Sequence, residues 1–353
     1  MPRKLAVFIF VAVVSLATAF AGEVRSGYKV LSPISHGNLT IFPVVASSTH
    51  DASQFMTLDE GLRSGEVIVT EAGRVQPLIR RGSRPIPRGG GGEVNRLVLV
   101  NNSSRPLLLL AGEIVTGGKQ DRVIGKDRIV PAQSDADLSV FCVEPGRWTE
   151  VSSNFKGMTA QMAQPSVRSK AMADKDQQKV WNSVRAAQES AVVAAAPSAA
   201  PELRGTSSYA KVMDNVEVKK QVDEIAAPVQ RDYQGLIREL RARNAVGVVA
   251  AVNGRIIWAD VFASTPLLEK YWPKLVRSYA AEAYVVRTSS GGRPGTHAAQ
   301  EFLDNMDGRR QVSEVEPGVF RQTEISGDGF KVFELTSLLP KTGFDLHVAK
   351  AAD

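Results

Sequence analysis

Residues Leu107–Trp148 read LLLLAGEIVTGGKQDRVIGKDRIVPAQSDADLSVFCVEPGRW. Short apolar stretches (Leu107–Ala111, Asp121–Val130, Leu138–Val143) alternate here with turn residues, and Val94–Val100 precedes them across the turn Asn101-Asn102-Ser103-Ser104. Asn and Ser favour turns because their short polar side chains bond to the nearby backbone. Apolar runs of this length between such turns predict an antiparallel sheet, sandwich-like or barrel-like, with this stretch supplying its central strands.

Working outward toward the N-terminus, Asn38–Val45 and Glu66–Thr70 are further strand candidates. Between them Thr57 and Glu60 form a capping-box pattern for a short helix over Thr57–Arg63, which Gly65 ends. The loop Gly82–Gly92 carries two prolines and four consecutive glycines, but lacks the strand, glycine spacing and helix of a dinucleotide-binding turn, so it reads as a flexible surface loop.

Beyond Trp148 the pattern becomes helical. Val180, Trp181, Val184 and Ala187 share one face of a helix within Val167–Ala195, and Ala194–Pro201 reads as a linker. Tyr209–Leu240 continues with helical spacing, and Pro228 is expected to kink or split it by removing a backbone donor. Asn253-Gly254 between GVVAAV and RIIWADVF predicts a hairpin, because both residues tolerate positive φ. Thr265-Pro266 predicts a helix start with Thr265 as cap, and Pro273 the start of a second segment. A short helix over Thr296–Met306, a hairpin over Val319–Thr336 and a last strand at Phe344, Leu346 and Val348 complete the pattern. The expected class is α+β: an N-terminal antiparallel β-rich part (22–150), a helical segment (151–245), and an α+β part (246–353) with hairpins and helices.

Arg3 and Lys4, the apolar run Leu5–Leu16 and the small residues ending at Ala21 have the form of a secretory signal, so residues 1–21 are expected to be removed. A membrane helix needs about 20 apolar residues, more than this run supplies. The expected location is therefore outside the cytoplasm, periplasmic or extracellular, with no stable membrane insertion after cleavage. Loss of Arg3 and Lys4 lowers the formal charge of +6 to +4. Apart from Arg80, Arg81, Arg84 and Arg88 in one loop there is no concentrated basic face, so nucleic acid is not an expected partner. The single cysteine, Cys142, excludes an intramolecular disulfide.

Four segments, NLTIFPVV (38–45), TLDEGLRSGEVIVTE (57–71), LLLLAGEIVTGGKQDR (107–122) and VFCVEPGRW (140–148), resemble the ARG and rhodanese-phosphatase-superfamily-associated protein domain, ARPP for short. The resemblance continues through GVVAAVNGRIIWADVF and WPKLVRSYAAEAY and so covers most of the mature chain. It implies a link to ADP-ribose or nucleotide metabolism, and no catalytic mechanism comes with it.

Gly117-Gly118-Lys119 is not a P-loop: Glu113 stands where the first glycine belongs and Gln120 where Ser or Thr would bind magnesium. Its amides can still form an anion nest, with Lys119 adding charge and Arg122 a bidentate fork; the bland alternative is a β-turn with Arg122 paired to Asp121 or Glu113. Glu144, Arg147 and Trp148 can hold a planar base or sugar, or can simply close a strand. The predicted ligand site is therefore Glu113, Lys119, Gln120, Asp121, Arg122, Glu144, Arg147 and Trp148, for a small anionic or nucleotide-like molecule. Weaker catalytic candidates are Cys142, for which a buried packing role is the alternative, and the Glu113 and Glu144 carboxylates as a hydrolytic pair. A third reading is a cell-envelope interaction protein whose Val180, Trp181 and Val184 stripe meets a partner. No metal-ligand spacing and no cofactor motif occurs. N-terminal sequencing of the exported chain is expected to begin at Gly22; a start at Met1 would contradict the signal reading.

Overall fold

A computed structural model describes residues 27–72, 96–147, 149–240, 243–286 and 292–353. The signal-like segment, the glycine-rich loop and Trp148 lie outside them.

The Asn253-Gly254 hairpin forms as expected: β13 (Ala245–Val252) and β14 (Arg255–Phe262) turn through φ values of 50° and 80°. The earlier strands are β1 (Tyr28–Val30), β2 (Ile34–His36) and β3 (Leu39–Ala46). The later ones are β15 (Gly308–Glu316), β16 (Phe320–Gly327), β17 (Phe330–Ser337) and β18 (Asp345–Ala352). Together they make a nine-stranded sheet in the order β1-β3-β13-β14-β18-β17-β16-β15, with β2 paired to β3. All its pairings are antiparallel. N-terminal strands thus sit beside C-terminal ones. The cause is visible in β3 and β13, where Leu39, Ile41, Val248 and Ala250 enter one core while Phe42, Val44, Val249 and Ala251 enter another. A strand apolar on both faces is stable only inside a sheet covered on both sides. Strand β15, which no sequence signal marked, is largely exposed at the sheet's end; a bulge between Val312 and Glu314 and its many charges fit an edge protected from further pairing.

The opening stretch builds a second sheet. Strands β5 (Val67–Glu71), β6 (Arg96–Asn101), β8 (Glu113–Thr116), β9 (Arg122–Ile124), β11 (Ser134–Cys142) and β12 (Lys156–Met162) run in the order β12-β8-β9-β11-β6-β5. A bridge between Thr70 and Asn154, with Phe155 N–H donating to Val69 O at 2.8 Å, joins the two edges, so the sheet closes on itself as a barrel. Strands β4 (Met56–Thr57), β7 (Leu107–Leu109) and β10 (Arg128–Val130) form a small sheet beside it. The unbroken leucine run has a simple cause: Leu107 and Leu109 point into the barrel core, and Leu108 points out to the main core.

Helix α1 (Leu58–Ser64) has the full capping box of Thr57 and Glu60 and ends at Gly65 with φ 73°. Helices α2 (Pro165–Ser169) and α3 (Gln177–Ala194) flank a π-helical turn at Lys170–Asp174. The Ala/Pro segment that reads as a linker is a tight corner between α3 and α4 (Ala200–Arg204), with Ala191, Ala200 and Leu203 buried. Helices α5 (Tyr209–Asp214) and α6 (Val216–Leu240) part at Asn215, and α6 runs through Pro228 without a break. The carbonyl that Pro228 orphans belongs to Glu224, which is exposed and can bond to water. Likewise α7 (Thr265–Val285) passes through Pro273 as one helix, and its cap is Ser264, one residue before the expected Thr265. Tyr233 of α6 stacks on Trp272 of α7 at 4.1 Å, and these helices cover one face of the large sheet. Helix α8 (Thr296–Asp304) covers part of the other with Ala299 and Leu303. Val180 and Val184 of α3 are buried in the main core with Trp181 half-buried beside them, so the proposed partner stripe is occupied by the protein itself. No helix among the described residues is long and apolar enough to cross a membrane.

Phe155 lies at the barrel's closure and is 3% exposed. Phe155→Ala is expected to cost about 3–5 kcal/mol of unfolding free energy, measured by denaturant titration.

Candidate functional site

The Gly117-Gly118-Lys119 turn joins β8 to β9, and the glycines take φ values of 125° and 49°. Its amides face acceptors, as a nest requires, but the acceptors are protein groups. Gly117 N–H donates to Asp121 Oδ1 at 3.1 Å, Gly118 N–H to Ser152 Oγ at 3.3 Å, and Lys119 N–H to Glu71 Oε1 at 2.9 Å. Glu71 thus sits where a ligand anion would. A Cβ on Gly118 would stand 2.2 Å from the Phe155 ring, so glycine is required there for space as well as for φ.

The structure brings most of the predicted residues together. Arg147 pairs with Glu144 at 2.6 Å and Asp121 at 3.4 Å, and donates to the carbonyls of Gly118 and Thr149. Asp121 also accepts from Ser208 Oγ at 2.9 Å, its N–H donates to Glu144 Oε2 at 3.2 Å, and Gln120 donates to the Glu144 carbonyl. Arg122 is fully buried, and burial pulls its pKa down against the pull of Cys142, Glu71 and Asp121. Burial and the neighbouring Glu144 push Asp121 up. Two guanidinium groups, Arg122 and Arg147, thus stand among three carboxylates, while the buried Gln120 Oε1 has no hydrogen-bond partner among the described residues. Glu113 turns elsewhere: Oε1 meets Lys274 Nζ at 2.7 Å and Oε2 accepts from Leu110 N–H at 2.9 Å. Glu113 and Glu144 share no partner among the described residues. Cys142 is 0% exposed, and burial pushes its thiol up.

A second polar cluster was not legible in the sequence. Asp260 on β14 accepts both guanidinium nitrogens of Arg168 at 2.9 Å, His347 Nε2 at 3.0 Å and the Tyr279 hydroxyl. His347 Nδ1 meets Asp127 Oδ2 at 2.6 Å, Asp127 Oδ1 accepts from Ala111 N–H at 2.7 Å, and Arg168 Nε donates to Ala111 O at 2.9 Å. Both imidazole nitrogens face carboxylates, which makes both donors and the ring an imidazolium. Burial pulls His347 down, but Asp127 and Asp260 hold it up at about 9. Burial likewise pushes Asp260 up, and Arg168 and His347 hold it well below the usual carboxylate range. Arg168 also lies over the Trp258 ring at 4.7 Å. A Cβ on Gly112 would stand 2.7 Å from Arg168, so this glycine admits the side chain. The signal available in the sequence was a charge inside an apolar run: Asp260 between Ala259 and Val261, His347 between Leu346 and Val348.

Beside this network a cleft of about 680 Å³ opens between α2 with its π-helical turn, the β13–β14 hairpin and the end of α7. Glu282, 8% exposed, lines it. Its Oε2 accepts from Ser166 N–H at 2.9 Å and Gln164 Nε2 at 3.3 Å. It has no cation partner among the described residues, and burial pushes its pKa up while the Ser166 and Gln164 bonds pull it down. Lys170, Arg255 and Lys331 stand around the cleft together with Asp174 and Asp353. Lys170 pairs with Asp174 at 3.1 Å, whereas Arg255 is exposed and has no acidic partner among the described residues. No group of three His, Cys, Asp or Glu arranged to hold a metal occurs among the described residues.

These features define a class: an α+β protein in which a closed barrel and a helix-covered antiparallel sheet meet around buried ions, with a polar cleft at the junction. The model of the ARG and Rhodanese-Phosphatase-superfamily-associated Protein domain matches residues 27–347, and the chain belongs to that family. No curated protein and no solved structure matches it.

Because the folded pKa of His347 lies above its unfolded value of 6.5, its contribution to stability is complete below about 6.5 and is lost as pH rises through about 9. The loss is expected to be on the order of 3 kcal/mol. Denaturant titrations from pH 6 to 10 should show it in the wild type and a flatter profile in His347→Gln.

Proposed function

We propose that the chain is an exported protein that binds a small anionic, nucleotide-like molecule in the cleft beside Glu282. The observation that carries this reading is a nearly buried carboxylate without a cation partner, set in a concave site with cations at its mouth. Pockets of this size, with a few convergent polar groups and a perturbed carboxylate, are the usual form of a small-molecule site. Glu282 can accept from hydroxyl or amino groups of a ligand, while Arg255, Lys170 and Lys331 meet its anionic end. The π-helical turn at Lys170–Asp174 supports the same reading, since such turns occur frequently at functional sites. The family resemblance makes ADP-ribose a reasonable first ligand. The Lys119–Arg147 cluster is less favoured, because its turn amides and the Arg147 guanidinium already hold protein acceptors.

Calorimetric titration of the purified mature chain with ADP-ribose, AMP and inorganic phosphate tests the proposal. Saturable binding of a nucleotide-like ligand, weakened roughly tenfold or more by Glu282→Gln and by Arg255→Glu, is expected. Absence of binding at millimolar concentration for all three ligands would remove the ligand class.

A further inference from the structure

We propose that the seam of the barrel carries a second binding site, for a small amphiphilic carboxylate. The two barrel edges touch at Thr70 and Asn154 and at Val69 and Phe155. One step further along they part, because Lys156 and Gly157 turn to pair with Thr116 and Val115 of β8, leaving Val67 and Ile68 of β5 across a gap. Helix α1 lies over this gap and approaches closely because residue 157 is glycine: a Cβ there would be 3.0 Å from Leu62 Cδ1 and 3.3 Å from Asp59 Oδ1. The result is a cleft of about 600 Å³ between α1 and the two strands.

The chemistry of its walls selects the ligand. The half-buried Leu62 and Ile68 supply the apolar surface, backed by the buried Val67 and Phe155, and Arg63 on α1 and Lys156 on β12 supply exposed cations. Neither cation has an acidic partner among the described residues. The one carboxylate among the cleft's lining residues, Asp59, pairs at 2.9 Å with Lys274, which also meets the buried Glu113 at 2.7 Å; burial pushes the Glu113 carboxyl up toward its neutral form, which leaves the lysine charge to Asp59. The field at the mouth is therefore set by Arg63 and Lys156. A simple inorganic anion would leave the apolar wall wet, and a neutral apolar molecule would leave the cations unmatched; an anionic head on an apolar body answers both. This site is separate from the Glu282 cleft and does not depend on its function.

The test uses the whole mature chain and three probes: octanoate, octanol as body alone, and inorganic phosphate as head alone. Saturable octanoate binding is expected, with shifts in the Phe155 and Leu62 resonances, and it should weaken roughly tenfold or more in Arg63→Glu/Lys156→Glu. Both substituted residues are exposed, and an unchanged melting temperature would confirm that the variant folds. Arg63→Lys/Lys156→Arg should retain binding, and Glu282→Gln should leave it unaltered. The proposal is overturned if octanoate does not saturate, if octanol or phosphate binds as tightly, or if charge reversal leaves octanoate binding unchanged.

Discussion

The four-charge network of Arg168, Asp260, His347 and Asp127 lies where the barrel, the helical layer and the large sheet converge. Asp127 comes from the loop between β9 and β10, Arg168 from α2, and Asp260 and His347 from adjacent strands of the large sheet. Two cations and two anions cancel in a place where none of them reaches water. Taking such groups out of water costs several kcal/mol each, so the arrangement persists only because every charge is paired and hydrogen-bonded. Removing one member would leave an uncompensated buried charge, a loss of about 3–5 kcal/mol. A misplaced barrel would bury unmatched charge at this cost, a penalty that apolar contacts alone would not impose.

The cleft beside Glu282 depends on this registration. Arg168 lies two residues after Ser166, whose amide holds the Glu282 carboxylate, and it backs the Trp258 ring at the cleft wall. The ion network thus fixes the short helix that shapes the cleft without entering the cleft itself. A similar relation holds on the far side of the barrel, where Lys274 of α7 ties Asp59 of α1 to the buried Glu113 and so positions α1 over the seam. In both places a buried ion pair sets the geometry, and the exposed cations at the mouth, Arg255 at one cleft and Arg63 and Lys156 at the other, have no acidic partner among the described residues.

The polar signatures of the opening stretch illustrate how burial changes the meaning of a motif. Gly-Gly-Lys followed by Asp-Arg has the residues of an anion nest, and the backbone does take the required left-handed conformations. Once β5 lies alongside, Glu71 and Asp121 fill the nest from within. Cys142 is an ordinary core residue for the same reason: its strand is covered, and a thiol in that environment stays protonated.

Local physics was legible in the sequence. The Thr57–Glu60 cap, the Asn253-Gly254 turn, the strand runs of the barrel and the amphipathic helices each follow from bonds and contacts within a few residues, and the α+β class follows from their order. The resemblance of the chain to its family was legible as well, most of all in the segments Leu107–Arg122 and Val140–Trp148. What only the tertiary structure decided were the pairings between distant residues. These include the placement of β3 beside β13, the closure of the barrel at Thr70 and Asn154, and the continuity of α6 and α7 through proline. The meeting of Asp127, Arg168, Asp260 and His347, and of Ser166 with Glu282, belongs to the same class. Strand order and buried ion pairing are set by which surfaces leave water together, a collective property that no local window of residues contains.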